Sequence, residues 1–69
     1  MYFKSTRKTL HYIVDHERHF PWSKVIEIIM MTKNIRKKDN KLEIETQDCY
    51  ILCKLENGIL WVINAKRKK

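Results

Sequence analysis

Hydrophobic and polar positions follow a strand period most clearly near the end of the chain. Cys49 to Ala65 reads CYILCKLENGILWVINA, two apolar runs joined by Asn57-Gly58. Asn-Gly between β-rich runs predicts a hairpin, because a type I′ turn needs positive φ at both central residues. The turn sets a register: Glu56 opposite Ile59, Leu55 opposite Leu60, Lys54 opposite Trp61, Cys53 opposite Val62, Leu52 opposite Ile63 and Ile51 opposite Asn64. Side chains alternate faces along a strand. One face then carries Cys49, Ile51, Cys53, Leu55, Leu60 and Val62. The other carries Tyr50, Leu52, Lys54, Trp61, Ile63 and Ala65. The helices are expected on the first face, which holds no charge.

Upstream, Leu42, Ile44 and Thr46 alternate with Glu43 and Glu45. This predicts a strand over 41–46, buried on one side and solvated on the other. Asp39-Asn40 joins it to a strand over 35–38, and Gln47-Asp48 leads to the next. The first third has a helical period instead. Ser5 or Thr6 is read as the cap of a helix running to about Arg18, with Leu10, Ile13 and Val14 as its buried stripe. His11, Tyr12, Asp15, His16 and His19 point away from that stripe. Pro21 opens a second helix to about Lys33, whose apolar face is Trp22, Val25, Ile26, Ile29 and Met30. Asn34 is read as its left-handed stop. Met1 to Lys4 is an edge strand or a frayed end. The expected fold is α+β: two N-terminal helices packed on one face of a three- to four-stranded antiparallel sheet. It is one domain over 1–65, with a mobile basic tail over 66–69.

Composition limits the partners. The chain has 69 residues, 15 of them Lys or Arg against 8 Asp or Glu, for a net charge of +7. A basic domain this small suits an anionic partner, nucleic acid first among them. No run approaches the ~18 apolar residues of a membrane span. MYFKSTRK lacks the apolar stretch of a secretion signal. Cys49 and Cys53 stand four apart in one strand, about 13 Å by strand rise, too far for a disulfide. They are expected as buried thiols of a reduced, cytoplasmic protein.

Three groups of residues carry candidate chemistry. His11, His16, Arg18 and His19 surround the first helix, and histidine exchanges protons near neutrality. His16 and His19, three apart, are helix neighbours that a metal or phosphate would bridge. No zinc-binding spacing accompanies them, so neither a metal nor a cofactor is expected. Lys33, Arg36, Lys37, Lys38 and Lys41, with the tail that begins Lys66-Arg67, form a basic set that meets phosphate or deters edge pairing. Tyr50, Lys54 and Trp61 share a sheet face suited to stacking bases while a cation meets phosphate. With Leu52 and Ile63, the same face equally suits a homodimer. Gly58 is the one glycine and the hairpin needs it, so there is no glycine-rich phosphate loop.

The order of elements resembles the Domain of Unknown Function 4258 family, within the RelE/ParE-type toxin and ribonuclease-fold group. The resemblance rests on His11, Arg18, Phe20, Trp22, Ser23, Val25 and Ile29, then Tyr50-Ile51-Leu52 and Gly58 to Ile63. It covers most of residues 9–65. Family members show His-Ala, an Arg, then a second Arg followed by Gly and Ile. Here Tyr12 follows His11, the first Arg position falls near Val14 or Asp15, and no Gly precedes Phe20. The resemblance therefore implies function for His11 and Arg18 alone, with His16 and His19 as nearby substitutes. It implies an RNA-directed, RelE-like module, a toxin with an antitoxin partner. If catalytic, it would be a metal-independent endoribonuclease in which the RNA 2′-OH attacks its own phosphate. The rival expectations are a non-catalytic nucleic-acid binder using Tyr50, Trp61 and the basic tail, and a homodimeric interaction module.

Overall fold

The computed structural model describes residues 3–33 and 35–68. The element order is β1 (Ser5–Lys8), α1 (Leu10–Asp15), α2 (Trp22–Met31), β2 (Ile35–Lys38), β3 (Lys41–Glu45), β4 (Cys49–Glu56) and β5 (Ile59–Arg67). The strands form one sheet in the order β1-β5-β4-β3-β2. This corrects the expected three- to four-stranded antiparallel sheet. There are five strands and the sheet is mixed, because Ser5–Lys8 pairs parallel with β5. Without β1, the N–H and C=O groups of β5 would form an open edge. Ser5 and Thr6 therefore sit in a strand, and Thr9 is the helix cap. Its hydroxyl accepts from the Tyr12 N–H at 3.2 Å and donates to the Val62 carbonyl at 2.8 Å. The cap thus ties α1 to β5.

That tie also sets which side of α1 meets the core. The helix is six residues long and buries Tyr12 alone. Leu10, Ile13 and Val14, expected as the buried stripe, are 75%, 46% and 59% exposed. Tyr12, expected outward, is fully buried, and its hydroxyl donates to the Phe20 carbonyl at 2.5 Å. α2 places Val25 and Ile29 in the core, while Met30 is left exposed. The fully buried part of the expected helical stripes is thus three side chains, joined by Phe20 from the intervening turn, with Trp22 and Ile28 packed against them part-buried. The four buried side chains meet Leu42, Ile44, Cys49, Ile51, Cys53, Leu60, Val62 and Ala65 in one cluster. Asn34, read as a left-handed stop, lies outside the described residues, as do Met1, Tyr2 and Lys69.

The hairpin turn has Asn57 at φ 54° and Gly58 at φ 78°, the backbone that type I′ requires. The expected register holds from Glu56↔Ile59 to Cys53↔Val62, then shifts. Leu52 pairs with Asn64 and Ile51 with Ala65, so Ile63 is the extra residue of a β-bulge. An unbroken register would have put Asn64 opposite Ile51, on the core face. Burying that amide among aliphatic side chains is unfavourable. The bulge puts Ala65 there instead, 2% exposed, and moves Asn64 to the other face, where its Oδ1 is nonetheless buried with no hydrogen-bond partner among the described residues. It also carries β5 past residue 65. Lys66 pairs with Tyr50 and Arg67 with Cys49, and the Lys68 N–H donates to the Asp48 carbonyl at 2.8 Å. The basic residues expected as a mobile tail are thus anchored to the sheet through Lys68.

The turn and the buried hydroxyl and thiol make two predictions. Ala at position 58 would have room, since the nearest atoms to its Cβ are Lys4 side-chain carbons at 3.5 Å. The strain is in the positive φ, so Gly58→Ala should destabilise by about 1–2 kcal/mol in urea denaturation. Burial pushes the Cys53 thiol from 9.0 up to about 12. Burial, with Glu17 nearby, pushes Tyr12 from 10.0 to about 12. The native state keeps these protons at pH values where the unfolded chain has lost them. Stability is therefore full below about pH 9 and falls as pH rises toward 12, at about 1.4 kcal/mol per pH unit for each fully shifted group. Cys53→Ala should hold the denaturation midpoint level until the tyrosine range begins.

Candidate nucleic-acid interface

Residues paired across strands project from the same face. The core occupies one face of this sheet, and the pairing places a row of cations across the other. Lys38 pairs with Lys41, Lys41 with Lys54, Lys54 with Trp61, and Trp61 with Arg7. The row crosses all five strands, roughly 19 Å at strand spacing. Among the described residues, none of its four cations is in an ion pair. Trp61 and Lys54 are half-buried, while Arg7, Lys38 and Lys41 are exposed. Like charges directly opposite one another destabilise a sheet. Lys41 stands opposite a lysine on both sides.

Lys54 faces Trp61 as the turn predicted. The cations that lie over aromatic rings are others: Lys66 over Tyr50 at 5.7 Å, Lys8 over Trp22 at 5.3 Å and Arg67 over Phe20 at 5.6 Å. Tyr50 lies on the same open face as the row. Its hydroxyl donates to Glu43 Oε2 at 2.7 Å, and burial, then this bond, push its pKa up to about 12. Tyr50 is therefore a neutral ring across the physiological range. A pocket of about 230 Å³ lined by Lys38, Asp39, Lys41, Glu43, Tyr50 and Leu52 joins it to the row. Arg67 and Lys37 do not share this face. Arg67 is on the helix side at Phe20, and Lys37 pairs with the core residue Leu42. Lys41, expected in the basic set, and Arg7, missed in the sequence, complete the row. Arg7 was hidden because residues 5–8 were read as the start of a helix. The alignment of Lys41 with Lys54 comes only from the β3–β4 pairing.

Beyond the row, Glu45 accepts from Lys68 at 2.9 Å and from Arg36 at 2.5 Å. The Lys68 hydrogen bond and charge, then Arg36, hold this carboxyl below its usual range. Glu45 is thus shared by two cations at that end of the sheet, whereas the cations of the Lys38–Arg7 row have no carboxylate in ion-pair contact among the described residues.

The histidines form a separate group, on the helices' side of the sheet. α1 ends at Asp15 and His16 is its C-cap, so the chain unwinds there and His16 turns back toward His11. His11 Nε2 and His16 Nε2 are 3.3 Å apart, and Asp15 Oδ2 is 3.1 Å from His11 Nδ1. The His16–His19 pair expected from helical spacing does not form: the His19 N–H donates to the His16 carbonyl at 3.0 Å. Arg18 and His19 are exposed, and neither side chain bonds to another described residue. Lys8 is close by but is paired with Glu17 at 2.5 Å. The candidate catalytic residues and the stacking face therefore lie on opposite sides of the sheet.

No family model, curated protein or solved structure matches this chain. Among the described residues, no helix is long and apolar enough to cross a membrane.

The lysine row makes a prediction about stability. Lys41→Glu replaces two like-charge pairs with two opposite-charge pairs, each worth roughly 0.2–1 kcal/mol before screening. Because Lys38 and Lys41 are exposed and Lys54 only half-buried, the gain should lie near the low end and fade at high salt. Urea denaturation at low and high ionic strength reads both effects.

Proposed function

We propose that this chain is a small, non-catalytic module that binds single-stranded nucleic acid, RNA by preference, across the open face of its sheet. The observation that carries this reading is the row Lys38–Lys41–Lys54–Trp61–Arg7. Its unpaired cations meet phosphate and release counterions, while the Trp61 and Tyr50 rings offer stacking planes to bases of any sequence. The direct like-charge pairings are unfavourable without a polyanion and are relieved by one. The resemblance to RelE-type proteins, with the toxin role and antitoxin partner it implies, is the reason for preferring RNA. Cleavage is the weaker reading, because His11 and His16 lie across the sheet from the row.

Binding is tested with labelled single-stranded RNA in EDTA at several salt concentrations, scoring both shift and fragments. A salt-sensitive shift of intact RNA is expected. Trp61→Ala should weaken binding about 5- to 150-fold, the worth of one stacked base at about 1–3 kcal/mol. Lys54→Ala should reduce the slope of log K against log salt by about 0.7. The double variant His11→Ala/His16→Ala should bind as the parent does. Fragments that vanish in that double variant would overturn the binder in favour of a metal-independent ribonuclease. No shift at any salt would discard nucleic acid altogether. A dimer mass that Trp61→Glu abolishes would then assign the face to a second copy of the chain.

A further inference from the structure

We propose that His11 and His16 form a two-imidazole site for a divalent transition metal ion of borderline softness, such as zinc, nickel or copper, with Asp15 positioning His11. The inference is independent of nucleic-acid binding, since the pair lies on the other side of the sheet.

The spacing of the two nitrogens fits a shared ion. Two imidazole nitrogens on one tetrahedral ion at about 2.0–2.1 Å stand about 3.3–3.4 Å apart. His11 Nε2 and His16 Nε2 are 3.3 Å apart. The rings show how they approach. A head-on N–H···N bond of that length would set the ring centres about 5.6 Å apart, whereas rings converging on one ion would set them about 5.2 Å apart. The centres are 5.0 Å apart, with the planes at 61°. That separation is shorter than a head-on bond requires and close to that of two rings sharing one ion.

The tautomer and orientation fit as well. Metal-ligating histidines commonly give the other ring N–H to a carboxylate, which fixes the tautomer and raises ligand basicity. Asp15 Oδ2 stands 3.1 Å from His11 Nδ1, within ion-pair distance, and a proton on that nitrogen leaves the Nε2 lone pair for a metal. His16 is held by its surroundings. Its backbone N–H donates to the Tyr12 carbonyl at 2.9 Å, and its carbonyl accepts from the Phe20 N–H at 2.8 Å. Its ring is nearly parallel to that of Tyr12, at 12° and 6.4 Å, and Tyr12 is locked in the core. Little freedom is lost when the second ligand is already placed. The His11 side chain is 52% exposed, so the ion can enter from solvent and keep water or a small anion in its remaining positions. Imidazole donors suit zinc, nickel and copper over magnesium or calcium. The five-residue spacing matches no helical metal motif. It becomes a pair because α1 ends one residue before His16.

The test is titration of the full chain with Zn2+ by calorimetry, and with paramagnetic Ni2+ by NMR of the histidine side chains, without nucleic acid. One ion per chain is expected, with resonances of His11 and His16 broadened and those of His19 spared. His11→Ala should lower affinity about 100-fold or more. Asp15→Asn should lower it about 10- to 100-fold. Both positions are exposed, and circular dichroism confirms that the variants fold. Equal broadening at all three histidines, undiminished binding in His11→Ala, or no saturable binding would each overturn the site. Unchanged affinity in Asp15→Asn would remove Asp15 from it.

Discussion

The pairing register of β4 with β5 decides which residues meet the core and which face outward. Both strands are apolar enough to bury either face, so hydrophobicity alone leaves the choice open. The Asn57-Gly58 turn makes the choice, because its two positive φ angles admit one alignment of the flanking residues. The bulge at Ile63 then corrects the far half, exchanging Asn64 for Ala65 on the core side. Without it the amide would sit against Ile51. The turn and the bulge together keep an apolar face continuous over most of two long strands.

A consequence of that register is a conflict on the opposite face. The alternation that buries Cys53, Leu42 and Leu60 projects Lys54, Lys41 and Trp61 outward in line. β2 and β1 extend the line with Lys38 and Arg7 at the two edges. Each like-charge neighbour weakens the sheet slightly, and among the described residues no ion pair offsets it directly. A thin core has little reserve for such terms, since a chain of this length buries only about 60% of its unfolded surface. A polyanionic partner would turn the same charges from a liability into affinity.

The helical layer follows from a competition over residues 5–9. Ser and Thr are good helix caps, and Leu10, Ile13 and Val14 have helical spacing. The exposed edge of β5 competes for the same segment, and pairing with it satisfies backbone groups that a longer helix could not reach. Thr9 then becomes the cap, and its double link to Tyr12 and Val62 orients α1 with Tyr12 inward. The same shortening places His16 at the helix end, where its ring meets His11. One local decision thus sets the strand count, the buried side of the helix and the histidine pairing.

Much of this was legible in the chain itself. The two strand turns, the near half of the hairpin register, the ten-residue apolar helix around Val25 and Ile29 and the excess of cations all rest on contacts between near neighbours, whose chemistry is written locally. The Lys54–Trp61 pair was legible for the same reason. What required the tertiary structure depends on residues far apart in sequence: β1 joining β5, the bulge that moves Asn64 off the core face, the inward turn of Tyr12 and the row that adds Arg7 and Lys41 to Lys54. Local pattern says that a strand has two faces and a helix a stripe. Only the packed chain decides which face is covered, because that choice depends on strand pairings and core contacts between residues far apart in sequence.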